Sequence, residues 1–390
     1  MVSRATARLD QGSPTLTQTV KNSIDLRLGD PCLPTPEPAV EAAYQAVRHG
    51  DVRYTPAAGT PELRAAVAEK FRRDGIACAP ERVVVGSGAK SVLFALLAGD
   101  QLEGREVIIP APHYAAYPGV VRLAGGTPRV VHTDEADGFK ITPEQLRSHL
   151  SPATRWLFLN SPANPTGATY SRDEIAALGA ELLRFPNVMV LSDEIYELFC
   201  YSAPMVPVAT VSDDLARRTV TLNGVSKTYS MTGWRIGYAT GPQDVIDRAI
   251  AVQFSVFTCP PSVSQAAALA ALTMDQDPIR ARNAVLVEHR DAAVAILRQS
   301  RLLSVPVPAG SFYIFPAVRR PSGSALHGMT DAQLVAYLAD QAGVLVTPGT
   351  SFGAPGHFRM SFAPDRSTVA EACTRVVAAL DKLEQEGPQP

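Results

Sequence analysis

The run Asn223-Gly224-Val225-Ser226-Lys227 sets one lysine after an apolar stretch, Thr219 to Leu222, and Arg235 follows eight residues later in Met231-Thr232-Gly233-Trp234-Arg235-Ile236-Gly237. A lysine amine attacks carbonyls only where its surroundings lower its pKa and leave it open to a ligand. Small neighbours give that access. A nearby guanidinium disfavours the ammonium form and offers charge to a phosphate. Taken alone, Lys227 reads more readily as a surface lysine in a strand-to-helix turn, so the rest of the chain must decide.

Other residues with chemical potential lie in short polar clusters. Gly86-Ser87-Gly88-Ala89-Lys90-Ser91 fails both common nucleotide fingerprints. A dinucleotide loop needs a third glycine where Ser91 stands, and a P-loop needs one at Ala89. A small-residue turn entering a helix remains, either an ordinary turn or a cup whose free amides bind phosphate. Asp193 follows Val-Met-Val-Leu-Ser; it either caps a helix or balances a protonated ring nitrogen in a buried site. Tyr196 is three residues on. Asn164-Pro165-Thr166-Gly167 is a tight turn that projects an amide. Tyr114 is a packed aromatic unless a flat cofactor makes it a stacking platform. A lysine for an aldehyde, an aspartate for a pyridine nitrogen, a donor for a ring hydroxyl, a stacking aromatic and a phosphate cup are together the needs of pyridoxal phosphate.

These residues require a scaffold that gathers them. Arg82 to Val85, Glu106 to Ile109, Arg155 to Leu159, Val188 to Leu191 and Thr219 to Leu222 read as buried strands. Ser91 to Leu97 and Arg172 to Leu183 read as helices, the second opened by the capping box Ser171-Arg172-Asp173-Glu174. Strand, helix, strand predicts a mostly parallel α/β sheet, with ligands beyond the carboxyl ends of its strands. Four of the polar clusters fall at such ends. From about Pro278 the pattern changes to a long helical stretch (Ile279 to Arg298), short strands and a terminal helix (Ser367 to Leu383), with the closing QEGPQP expected to be disordered. The expected division is a large cofactor-binding domain over 46–280 and a smaller α+β domain built from 1–45 and 281–390.

A chain of 390 residues exceeds a single core, which agrees with two domains. A net charge of -2 gives no footprint for nucleic acid or anionic membrane. Five scattered cysteines form no C-x-x-C pair, so a reduced cytoplasmic protein is expected. No signal-like or membrane-length apolar run occurs, and the seven histidines show no metal-ligand spacing.

In order, Leu28-Gly29-Asp30-Pro31, Tyr54 to Gly59, Gly88-Ala89-Lys90, Asn160 to Gly167, Ser192 to Tyr196, Ser226 to Gly237 and Arg359-Met360-Ser361-Phe362 resemble the class I/II aminotransferases of pyridoxal-phosphate fold type I. The nearest branch is the bacterial aspartate/prephenate aminotransferase-like one. The resemblance implies a large domain with a seven-stranded, mostly parallel sheet between helices. It implies that Lys227 links covalently to the cofactor and later moves the substrate proton, that Asp193 holds the ring nitrogen protonated, and that Tyr196 and Asn164 bond the ring hydroxyl. Tyr114 would stack on the ring. Gly88, Ala89, Lys90, Ser226 and Arg235 would lie about the cofactor and its phosphate, with Tyr54 added from the partner of a homodimer. Arg359 would clamp the substrate α-carboxylate, although without the family it reads as a surface charge. Gly29 would approach the substrate, and Lys90 is either a solvated lysine or a contact for a distal carboxylate.

Three features differ from the branch. Tyr114 stands where tryptophan is common, the segment between Thr15 and Asp25 is shorter, and Asp30-Pro31-Cys32-Leu33 replaces Glu-Pro-Asp-Phe. All three bear on the substrate side chain. The expected reaction is transamination of an L-α-amino acid to its 2-oxo acid. Elimination, replacement or cyclisation on the same cofactor is the alternative. A non-catalytic half of a transcription regulator is disfavoured, because no basic helix-turn-helix segment is present.

Overall fold

A computed structural model describes residues 23–322 and 324–385. Seven strands form its main sheet: β1 (Val83–Gly86), β2 (Glu106–Ala111), β3 (Thr127–His132), β4 (Thr154–Asn160), β5 (Met189–Asp193), β6 (Thr219–Gly224) and β7 (Gly237–Thr240). Their spatial order is β1-β7-β6-β5-β4-β2-β3. Only β7 runs antiparallel to its neighbours; the remaining pairs are parallel. This is the seven-stranded, mostly parallel sheet that the resemblance implies.

The central strands read as continuous apolar runs because helices cover both faces. Successive residues alternate sides. Phe158 and Leu191 join Leu93, Leu96 and Ile246 in one core cluster, while Leu157 and Val190 join Ile175 and Leu178 in another. Two strands escaped the sequence reading. β3 is an edge strand with half its residues exposed and a proline at Pro128, and β7 is as short as β1 but reads Gly-Tyr-Ala-Thr where β1 opens on three valines. Neither has the apolar run that identified the other five.

The helix Ala89–Gly99 follows β1, and Arg172–Leu182 follows β4. The latter opens on the expected capping box: Glu174 N–H donates to Ser171 Oγ at 3.3 Å, and Ser171 N–H donates to Glu174 Oε2 at 2.8 Å. The helical stretch expected from Ile279 to Arg298 is two helices, Asp277–Ala284 and Leu286–Leu297, meeting at Val285.

Leu286–Leu297 packs against the terminal helix Arg366–Gln385 around Leu26, Phe312, Phe358, Val376 and Leu380. Short strands Tyr313–Ile314, Phe358–Ser361 and Thr347–Pro348 form a three-stranded sheet there. Ile24–Asp25 also joins this region, in parallel with Val344–Leu345. The helix Glu37–His49 lies instead against Ser262–Thr273. The shortened segment before Asp25 falls mostly outside the described residues, as does the tail after Gln385. No described helix is long and apolar enough to cross a membrane.

The topology decides where chemistry can occur. β1, β4, β5 and β6 end at one rim, and β7 starts from that rim after the loop that carries Lys227 and Arg235. Gly86, Gly237 and Gly224 stand abreast on β1, β7 and β6.

Candidate active site

A cavity of about 370 Å³ opens at this rim. Lys227 reaches it from the loop after β6, and its amine donates a hydrogen bond to the Gly29 carbonyl. Burial is the main force drawing the Lys227 pKa down to about 8; Asp30 opposes it, Arg359 and Arg235 reinforce it, and Asp193 opposes it. An amine with that pKa is partly free at neutral pH. Its sequence environment therefore does what its composition suggested.

Asp193 ends β5 and lines the same cavity. Tyr117 donates its hydroxyl to Asp193 Oδ2 at 2.6 Å, and the Ile195 N–H donates to Oδ1 at 3.3 Å. Burial raises the Asp193 pKa above the ordinary carboxylate value, while Tyr117, Ile195 and Lys227 all pull it back. Beside it, Asn160 at the end of β4 donates from its side chain to the Asp193 carbonyl at 2.9 Å.

Gly88 precedes the helix Ala89–Gly99 without any side-chain cap, so the first helix amides are open to an anion. Its backbone has φ +91°, and a Cβ there would lie 2.2 Å from Arg235 Nη2. Arg235 is itself in the left-handed region at φ 56° and donates to the Thr232 carbonyl at 3.0 Å. Ala89, Ser226 and Thr232 complete this part of the lining. A phosphate dianion fits a bare helix N-terminus flanked by a guanidinium.

Arg359 is 7% exposed, which removes the reading of a surface charge. Its guanidinium lies 4.4 Å from the Tyr313 ring centroid and 4.9 Å from that of Phe352. Nη1 donates to Asn164 Oδ1 at 3.0 Å and Nη2 to the Arg27 carbonyl at 2.5 Å, while Nε is buried without a partner. The Tyr196 and Tyr313 hydroxyls are 3.0 Å apart. A Cβ on Gly29 would lie 2.6 Å from the Tyr313 hydroxyl, so backbone and phenol are in close approach.

At the other side, Tyr114 packs edge-on to Tyr117 with centroids 5.5 Å apart, and the exposed Lys90 holds its amine 5.6 Å from the Tyr114 centroid. All the expected site residues except Gly88 and Tyr54 line the cavity directly; Gly88 abuts Arg235, which does. Tyr54 is 88% exposed and reaches no part of it within one chain. Sequence reasoning missed Tyr117, Asn160, Thr232 and Tyr313. Asn160 and Tyr117 had a usable signal, being the last residue of a strand and the aromatic three residues after Tyr114. Tyr313, within Phe312-Tyr313-Ile314-Phe315, looked like plain core.

The family model for aminotransferases of class I and II matches residues 21–376. The chain belongs to that family. An aspartate aminotransferase of Rhizobium meliloti (strain 1021) is 39% identical to this aminotransferase over 97% of the chain and 92% of the relative. An aspartate/prephenate aminotransferase of Cereibacter sphaeroides is 40% identical over 92% and 91% respectively. Among solved structures, the aspartate aminotransferase from Rhizobium meliloti superposes with TM-score 0.89 at 40% identity, covering 93% of this chain and 92% of its own. An aromatic aminotransferase from Pyrococcus horikoshii OT3 superposes with TM-score 0.87 at 33% identity, covering 93% and 97%. The family uses pyridoxal phosphate, and the uncapped helix start, Arg235, Asp193 and Lys227 suit its phosphate, ring nitrogen and aldehyde.

Proposed function

We propose that this aminotransferase holds pyridoxal phosphate on Lys227 and transfers the amino group of an acidic L-α-amino acid to a 2-oxo acid. The observation that carries the reading is the Lys227 amine, its pKa drawn down to about 8, in one cavity with Asp193, Arg235 and Arg359. When bound, the cofactor supplies an aldehyde for amines and a ring that accepts the electrons left when a Cα–H bond breaks.

The protein's part is binding, orientation and proton handling. The amides after Gly88, with Ala89, Ser226 and Arg235, hold the phosphate. Asp193 keeps a proton on the ring nitrogen, and Tyr196 and Asn164 donate to the ring hydroxyl oxygen. Tyr114 covers one ring face. Arg359 takes the substrate α-carboxylate in a planar, two-bond geometry that lysine does not offer. With its amine free, Lys227 would take the proton from the substrate Cα and deliver it to the cofactor carbon two atoms away, across the shared nitrogen. Lys90 receives the distal carboxylate, in keeping with the aspartate and aspartate/prephenate names of the relatives.

The functional unit is a homodimer in which Tyr54 of each chain completes the other's phosphate site. Its exposed position and absence from its own cavity support this. We place the enzyme in the cytoplasm and divide it into a cofactor-binding part over 46–280 and a smaller part from 1–45 and 281–390, with the helix Glu37–His49 at the boundary seated on Ser262–Thr273 of the larger part.

Borohydride reduction and peptide mapping test the first claim, with a pyridoxyl label expected on Lys227. Single-turnover mixing with aspartate, glutamate, aromatic and basic amino acids tests the second. Conversion of the cofactor to its amine form is expected with acidic donors. Release of ammonia in place of that conversion would refute transamination in favour of elimination.

A further inference from the structure

Tyr117 makes the shortest contact to Asp193, yet no role in the proposed reaction has been given to it. It opens the helix Tyr117–Leu123 and is buried. Its ring meets Phe158 on β4 edge-on, with centroids 5.2 Å apart at 80°, and meets Tyr114 at 5.5 Å and 87°. Two aromatic contacts on different elements thus fix the ring plane, and the hydroxyl points at Asp193 Oδ2 at 2.6 Å. That length is characteristic of a charge-assisted O–H···O⁻ bond.

We propose that Tyr117 is a positioning residue for transamination: its hydroxyl aims and sustains the Asp193 carboxylate while its ring sets the plane of Tyr114. This rests on the assignment of Asp193 to the cofactor ring nitrogen. The groups facing Asp193 are Tyr117 and Lys227, with Tyr114 and Tyr196 next to Tyr117. Burial by itself favours the neutral acid, and Tyr117 is the strongest group opposing it. Burial and the Asp193 charge also keep the phenol protonated, so it remains a donor throughout the working pH range. A carboxylate deprived of that donor becomes more basic and competes for the proton on the ring nitrogen. A ring that holds its proton less completely would withdraw fewer electrons from its link to Lys227.

The test is Tyr117→Phe in the holoenzyme, which keeps the ring and removes one oxygen. The pH midpoint of the bound cofactor's absorption band is expected to rise by about one unit, and kcat to fall about tenfold, with KM for the amino donor little changed. Apoenzyme of the variant is expected to bind pyridoxal phosphate more weakly in equilibrium titration. In an Asp193→Asn background, Tyr117→Phe is expected to leave the band unmoved, because its target has gone. An unshifted midpoint in Tyr117→Phe, with or without lost activity, overturns the proposal. So does a shift that persists in the Asp193→Asn background. Failure of the unmodified protein to carry the cofactor on Lys227 overturns the wider reading as well, whereas a normal holoenzyme with an unshifted variant overturns only the role of Tyr117.

Discussion

Lys227 derives its reactivity chiefly from desolvation, with two guanidiniums adding to it and two carboxylates subtracting. The sign is definite: a lowered pKa leaves the amine protonated below about 8 and free above it. In apoenzyme, borohydride trapping of a small aldehyde on Lys227 should therefore rise with pH and level off above 8, whereas an ordinary lysine keeps gaining to its usual pKa near 10.4. Continued gain up to pH 10 would contradict the argument. Lys227, Asp193 and Arg235 were legible from sequence because each closes or follows an apolar strand. Tyr313 was not, since a phenol in a core strand carries no sign of which way its hydroxyl points. Arg359 needed the family resemblance, for nothing in its own neighbourhood announces that two aromatic rings enclose it.

Elements were legible where burial comes with an apolar run. The five predicted strands are buried and carry a run of branched or aromatic apolar residues, which the buried Gly237-Tyr238-Ala239-Thr240 of β7 lacks, and the Ser171 capping box marked its helix start to the residue. β3 was hidden by its exposed edge, where Pro128 costs no ladder bond that a central strand would need. At this scale Gly88 is the most testable position, because it links β1 to the helix proposed to face the phosphate. Gly88→Ala meets both a positive φ and Arg235 Nη2 at 2.2 Å. Strain of this kind is worth about 1–3 kcal/mol, so the affinity for pyridoxal phosphate should drop about tenfold or more. Equilibrium titration of the apoenzyme measures it, and an unchanged dissociation constant would rule out Gly88 as part of the cup.

Across the whole molecule, the helix Glu37–His49 turns its small residues Ala39, Ala43 and Ala46 inward and leaves Val40, Tyr44 and Val47 exposed at spacings of four and three. Tyr54 lies a few residues further along the chain and is also exposed. An apolar stripe beside an unused site residue fits the proposed dimer. Tyr44→Glu should place charge on that stripe, yield monomers by sedimentation, and lower cofactor affinity through the loss of the partner's contribution. A dimer that survives with unchanged affinity would exclude this helix from the interface. The row of Gly86, Gly237 and Gly224 has a separate consequence. A Cβ on Gly237 would lie 2.1 Å from the Ala89 amide nitrogen. The start of the helix Ala89–Gly99 thus rests backbone against backbone on β7, with no side chain between them. Varying only the side chains that touch a substrate leaves this seat, and the proposed cofactor anchor on it, unchanged.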